Sequence, residues 1–220
     1  MKILPQLIVM SAVLPAVLSA KPNVLFIMAD DLGWMDLACQ GNKLVETPHL
    51  DRLAKQGMRF TDAYAAAPVC SPTRCAVLTG QAPARIGLTT HLPGRFFPKD
   101  GRPQPAELTP QLNGEHVTIA ERMKEAGYVS AFLGKWHIAP GVGRGGKVAD
   151  DVSPIGQGFD LNVGGTSYGG PPSFFSPYRN AELSDGPDGE YLPDRLVDET
   201  IRFILANKAK PWMTHLWFYT

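Results

Sequence analysis

An apolar run at residues 23–28, Asn-Val-Leu-Phe-Ile-Met, stops abruptly at Ala29-Asp30-Asp31. A short run without alternation is the pattern of a strand buried on both faces, as in a parallel sheet covered by helices. Further strand-like runs occupy 58–65, 128–133 and 212–219. Helical signals lie between them. Thr47-Pro48 supplies an N-cap and a first helical residue, and Leu50, Leu53 and Ala54 follow at helical spacing up to Gly57. A turn at 68–74 leads into a short helix at 75–79 that Gly80 stops. Thr118 and Glu121 form a capping box for a helix that runs to Ala126 and closes at Gly127. Tyr191-Leu192-Pro193 opens another, with Leu196, Val197, Ile201, Ile204 and Leu205 on one face. Strand alternating with helix predicts an α/β fold with a mostly parallel central sheet flanked by helices. Sites in such sheets gather at the carboxyl ends of strands. The two most polar strand ends are Asp30-Asp31 and Lys135-Trp136-His137.

Gly and Pro, 22 and 20 residues, concentrate in two stretches without a sustained period, 81–115 and 139–189. These read as long ordered loops, the first lying over the site. Lys+Arg and Asp+Glu are both 21, so the net charge is zero and gives no electrostatic case for nucleic acid or an anionic membrane surface. One focused site for a small anion needs no basic surface. Residues 1–20 read as a signal peptide: Lys2, an apolar stretch at 7–18, then the small residues Ser19 and Ala20. The mature protein is then expected to be secreted or periplasmic, with no membrane segment after cleavage. Cys39, Cys70 and Cys75 are the three cysteines, an odd number, and spacing leaves open whether Cys39 and Cys75 pair. The chain ends inside an apolar run, which suggests that 21–220 is the incomplete N-terminal part of a larger domain.

Three groups carry chemistry. Asp30 and Asp31, adjacent after a buried strand, repel unless a cation lies between them; a hard cation such as Ca²⁺ or Mg²⁺ suits oxygen donors, and a turn or helix cap is the plain alternative. Cys70-Ser71-Pro72-Thr73-Arg74 places a thiol near a helix start, where the dipole and Arg74 favour negative charge; spacing alone equally allows a structural cysteine. Lys135 and His137, alternate residues on a strand end, could bind an anionic oxygen and move a proton, or be an ordinary lysine and histidine. His49, His91, His116 and His215 lack such pairing.

Cys70-Ser71-Pro72-Thr73-Arg74 followed by Cys75-Ala76-Val77-Leu78-Thr79-Gly80 closely resembles the sulfatase signature. The stretches 23–33, 47–54 with 57–61, and Gly134-Lys135-Trp136-His137 resemble further blocks of that family in the same order, and Gly158-Phe159-Asp160 is similar too. The resemblance implies an alkaline-phosphatase-like fold, truncated before a smaller C-terminal domain, and a sulfate-ester hydrolase. It implies that a formylglycine-generating enzyme oxidises Cys70 to Cα-formylglycine, whose hydrate attacks sulfur. Asp30, Asp31 and residue 70 would hold Ca²⁺. Arg74 would hold the formylglycine, Lys135 would contact it and the sulfate, His137 would take its proton, and Ser167 would touch sulfate. Further metal ligands and another histidine would follow Thr220. A phosphodiesterase or phosphonate monoester hydrolase of the same superfamily, and a non-catalytic binding protein keeping the fold, are the competing readings.

Overall fold

A computed structural model describes residues 21–94, 100, 104 and 106–220. The leader expected at 1–20 lies outside the described residues. The strands are β1 (Val24–Met28), β2 (Val129–Gly134), β3 (Leu161–Val163) and β4 (Trp212–Trp217). The α-helices are α1 (Pro48–Gln56), α2 (Cys70–Thr79), α3 (Pro83–Ile86), α4 (Ile119–Glu125) and α5 (Leu192–Asn207). The four strands form one sheet in the order β1-β4-β2-β3, and every pairing is parallel.

Side-chain alternation across the sheet builds two cores. Phe132, Met213 and Trp217 pack on one face with Cys75 and Leu78 of α2 and Ala120 of α4. Ala131, Leu133 and Leu216 pack on the other with Leu192, Leu196 and Phe203 of α5. Phe132 is central to the first, with Trp136, Phe159 and Trp217 edge-on to it at 4.9–5.5 Å between ring centroids. Such contacts add roughly 0.5–1.5 kcal/mol each beyond burial. The capping box of α4 forms in full: Thr118 Oγ1 accepts the Glu121 N–H, and the Glu121 carboxylate accepts the Thr118 N–H.

The sheet departs from the sequence expectations in four places. β1 is an edge strand, and it buries one face only: Val24, Phe26 and Met28 pack inward, while Leu25 and Ile27 are 46% and 52% exposed. Residues 58–65, expected as a strand, pair with nothing among the described residues; Met58, Phe60 and Tyr64 stand exposed. Helix α2 begins at Cys70, not after Arg74. Pro72 then sits in the first turn, where its missing N–H costs no hydrogen bond. The 139–189 stretch is not all loop, because Leu161–Val163 joins the sheet as β3 beside β2. A three-residue strand is too short to show a period.

Gly158-Phe159-Asp160 serves the fold. Phe159 is in the core, and Asp160 closes onto β2 by accepting the Ser130 N–H at 2.9 Å. None of the three cysteines is in a disulfide, so Cys39 and Cys75 do not pair.

His215 lies in mid-strand, its ring 5.1–5.4 Å from those of Phe26, Phe159 and Trp217. Burial pushes it down from 6.5 to about 4. The fold therefore holds it neutral while the unfolded chain charges below 6.5. Stability is full above that pH and falls as pH drops from about 6.5 toward about 4, by up to ~1.4 kcal/mol per pH unit. His215→Phe should flatten this slope in urea unfolding at pH 7, 6 and 5. Parallel slopes in both proteins would contradict the assignment.

Candidate active site

Three elements end at one place. β1 runs out at Met28, and the chain turns through Ala29, Asp30 and Asp31, with the Asp30 N–H donating to the Thr220 carbonyl at 3.2 Å. β2 ends at Gly134, and the Lys135 N–H donates to the Trp217 carbonyl at 2.8 Å. α2 starts at Cys70, so its dipole points positive charge at that residue. Among the described residues, three that are not glycine have positive φ: Asp31 at 54°, His137 at 56°, and Arg179. Two of them are site candidates. Such backbone costs on the order of 1–3 kcal/mol per residue and persists where surrounding contacts hold it.

A cavity of about 520 Å³ opens at these ends, lined by Asp30, Asp31, Cys70, Thr73 and Arg74 among others. Arg74 is almost fully buried. Its NH1 donates to the Lys135 carbonyl at 2.6 Å, and its NH2 lies 3.3 Å from Asp30 Oδ1. The guanidinium sits 5.0 Å over the Trp217 ring. Lys135, also buried, pairs through Nζ with Asp30 Oδ2. Arg74 Nε and NH2 have no hydrogen-bond partner among the described residues; NH2 faces Asp30 as an ion pair but outside hydrogen-bond geometry. Burial lowers the Arg74 pKa, and Asp30 and Cys70 oppose the shift. An arginine this far from water still keeps its charge. Two buried cations thus meet the Asp30 carboxylate, with Asp31 on the same wall, and their remaining donors suit an anionic group.

His137 is buried one step further in. Its N–H donates to the Thr166 carbonyl at 3.1 Å, and ring Nε2 lies 2.7 Å from the Leu92 carbonyl. Burial above all takes it down to about 4, with Lys135 and Arg74 adding to the shift and the Leu92 carbonyl resisting it. His137 and Ser167 line a neighbouring cavity of about 300 Å³ with His91, Leu92 and Tyr168. Ser167 Oγ accepts the Val142 N–H at 3.2 Å. The structure thus gathers Asp30, Asp31, Cys70 and Arg74 on one wall, brings Lys135 in through Asp30, and leaves His137 and Ser167 in a second cavity that shares no lining residue with the first. Of the aromatic residues in 168–178, Tyr168 lines a cavity beside a site residue and Tyr178 is core.

Asp30 and Asp31 are hard oxygen donors on the cavity wall. Among the described residues, however, no three His, Cys, Asp or Glu side chains gather about one point. Calcium takes six to eight oxygens, so the described residues do not by themselves form such a shell. Sequence reasoning passed over Ser71, Leu92 and Trp217, which touch the site through a side-chain hydroxyl, main-chain groups and a ring face respectively. No side-chain pattern advertises those.

The chain is similar to known sulfatases. The chain is 44% identical to mouse steryl-sulfatase over 148 residues, covering 65% of this chain and 22% of the relative. It is 42% identical to N-acetylgalactosamine-6-O-sulfatase of Bacteroides thetaiotaomicron over 144 residues, covering 64% and 26%. The crystal structure of Ps i-CgsB in complex with k-i-k-neocarrahexaose superposes with a TM-score of 0.72 at 29% identity, over 90% of this chain and 45% of that one. The chain thus spans about a quarter of the curated relatives it matches and under half of this solved one. Its parallel sheet with flanking helices is the alkaline-phosphatase-like arrangement of those sulfatases. The sulfatase family model matches residues 22–219, and the chain belongs to the sulfatase family.

Proposed function

We propose that the protein carrying this chain hydrolyses sulfate esters, in the manner of an arylsulfatase and with sulfated carbohydrates among its substrates. The observation that carries this reading is Arg74, a buried guanidinium with two nitrogens that have no hydrogen-bond partner among the described residues, on the wall shared by Cys70, Asp30 and Asp31. Such donors suit a tetrahedral oxyanion. Arg74 and Lys135 set positive charge where the sulfuryl group transfers. His137, held neutral at pH 7, is in the form that accepts a proton. Ser167 contacts the substrate from the second cavity. Oxidised to Cα-formylglycine by a formylglycine-generating enzyme, residue 70 supplies the nucleophile for covalent catalysis. Ca²⁺, held by Asp30, Asp31 and residue 70, supplies a fixed charge for the transferring group. The remaining ligands come from outside the described residues.

No helix among the described residues is long and apolar enough to cross a membrane. With residues 1–20 as a leader, we place the protein outside the cytoplasm, secreted or periplasmic.

The test pairs sulfate and phosphate esters on the full-length protein, with the mass of the Cys70 peptide measured on the same sample. Steryl and amino-sugar sulfates belong in the screen, because the matched relatives are named for them. Sulfate turnover with the aldehyde mass is expected. Faster phosphodiester cleavage would point to the phosphodiesterase reading. An unmodified thiol, from a host able to make formylglycine, with no turnover would point to the binding protein.

A further inference from the structure

Ser71 sits beside Cys70 in the first turn of α2, and its side chain reaches away from the cavity that Cys70 lines. Its Oγ donates to the His137 carbonyl at 2.7 Å and accepts the Leu92 N–H at 3.0 Å. Leu92 returns the contact: its carbonyl lies 2.7 Å from His137 Nε2. The three residues close a loop of hydrogen bonds, Ser71 to His137 backbone, His137 ring to Leu92, and Leu92 back to Ser71. All three are buried.

A carbonyl oxygen can only accept. The neutral ring must therefore carry its proton on Nε2, which leaves the lone pair on Nδ1. Nδ1 is buried and has no hydrogen-bond partner among the described residues. The ring has little room to turn over. A Cβ built on Gly169 would lie 2.5 Å from His137 Cε1 and 2.9 Å from Nδ1, so the Gly169 backbone packs directly on the ring. The backbone at His137 is strained, with φ 56°, and Ser71 and Thr166 hold its carbonyl and N–H. A left-handed histidine without those two anchors would relax and carry the ring off Leu92.

We propose that Ser71 is a positioning residue for His137: through the Leu92 peptide it fixes the ring with the proton on Nε2 and Nδ1 as its acceptor atom. This rests on the proposed sulfatase reaction only for its effect on rate. The tautomer itself follows from the hydrogen bonds. Ser71 thus links the helix that carries residue 70 to the strand end that carries His137.

The test uses full-length protein with 15N-labelled histidine, the His137 ring being assigned with a His137→Asn variant. Two-bond 15N–1H correlation at pH 7.5 should show a single Nε2-protonated ring. Ser71→Ala should give a mixed or Nδ1-protonated ring, and Ser71→Thr, which keeps the hydroxyl, should keep the wild-type pattern. With Cys70 equally modified in each sample by mass, Ser71→Ala should lower kcat about 10- to 100-fold with KM within about twofold, and Ser71→Thr should restore most of the rate. A wild-type ring protonated on Nδ1 would overturn the proposal. So would a Ser71→Ala protein whose ring spectrum and kcat match wild type. If Ser71→Ala fails to fold, the wild-type ring and Ser71→Thr still decide. If no sulfate ester is turned over, the ring spectra still decide the clamp while the functional reading fails separately.

Discussion

Arg74→Ala should lower kcat/KM for a sulfate ester by about a thousandfold or more, the scale of losing a buried oxyanion donor together with its charge. Arg74 does three things at once. It faces Asp30 at 3.3 Å, it donates to the Lys135 carbonyl at 2.6 Å, and it lies 5.0 Å over Trp217. Truncation leaves Asp30 with Lys135 alone, strips a buried carbonyl of its donor and opens a void above the indole. Breaking a buried ion pair from one side typically costs roughly 3–5 kcal/mol, so the melting temperature should fall as well. Arg74→Lys separates charge from shape. An ammonium keeps the positive charge but cannot bond the Lys135 carbonyl, face Asp30 and offer free donors together. It should therefore recover the stability better than the rate. Steady-state kinetics, a thermal melt and the mass of the Cys70 peptide on each variant check this. Arg74→Ala within tenfold of wild type, with residue 70 equally modified, would remove Arg74 from the site.

The strand runs at 23–28, 128–133 and 212–219 were legible because a short apolar run between helical signals has to be buried, and in an alternating chain the central sheet is where it goes. Their order in the sheet was not, because pairing is a long-range property. The same limit applies to 58–65: Met58 to Ala65 has the composition of a strand, but a strand needs a neighbour, and none of the described residues provides one. Leu25 and Ile27 look like core residues in the run, yet stand exposed because α5 packs on β2 and β4 and no described element covers that face of β1. The turn expected at 68–74 ran about five residues too far, since α2 already begins at Cys70 and a first-turn proline fits inside the helix. At the site, Asp30, Asp31, Cys70 and Arg74 announce themselves by side-chain chemistry in short spacing, and the fold gathers them on one cavity wall. Ser71 and Leu92 do not: a single hydroxyl and a main-chain peptide meet His137 only because the fold brings them together. His215 was set aside for want of a partner; the structure encloses it in aromatic rings instead.

Gly134→Ala should be the most damaging added methyl among the described glycines. Gly134 closes β2 with φ 100°, a conformation that disfavours any side chain. A Cβ there would lie 2.0 Å from the Trp217 carbonyl oxygen and 3.0 Å from its carbon. Those are main-chain atoms of β4, the strand held between β1 and β2, with Trp217 in register with both Met28 and Gly134. Relief requires β4 to part from β2 or Gly134 to leave the sheet. Either movement breaks the Lys135 N–H bond to the Trp217 carbonyl, shifts the indole under Arg74 and displaces the Lys135 carbonyl that anchors the guanidinium. The cost should exceed about 4 kcal/mol, the range reserved for backbone collisions and comparable defects. Gly80→Ala is the matched control. Gly80 also has positive φ, 66°, but a Cβ meets nothing within 4 Å, so the penalty is the conformational one alone, about 1–2 kcal/mol. Thermal melts and soluble yield of both variants measure the difference. If Gly134→Ala melts no lower than Gly80→Ala, the close passage of β2 and β4 at this point is wrong. The placement of Lys135, and through it Arg74, would then be wrong too.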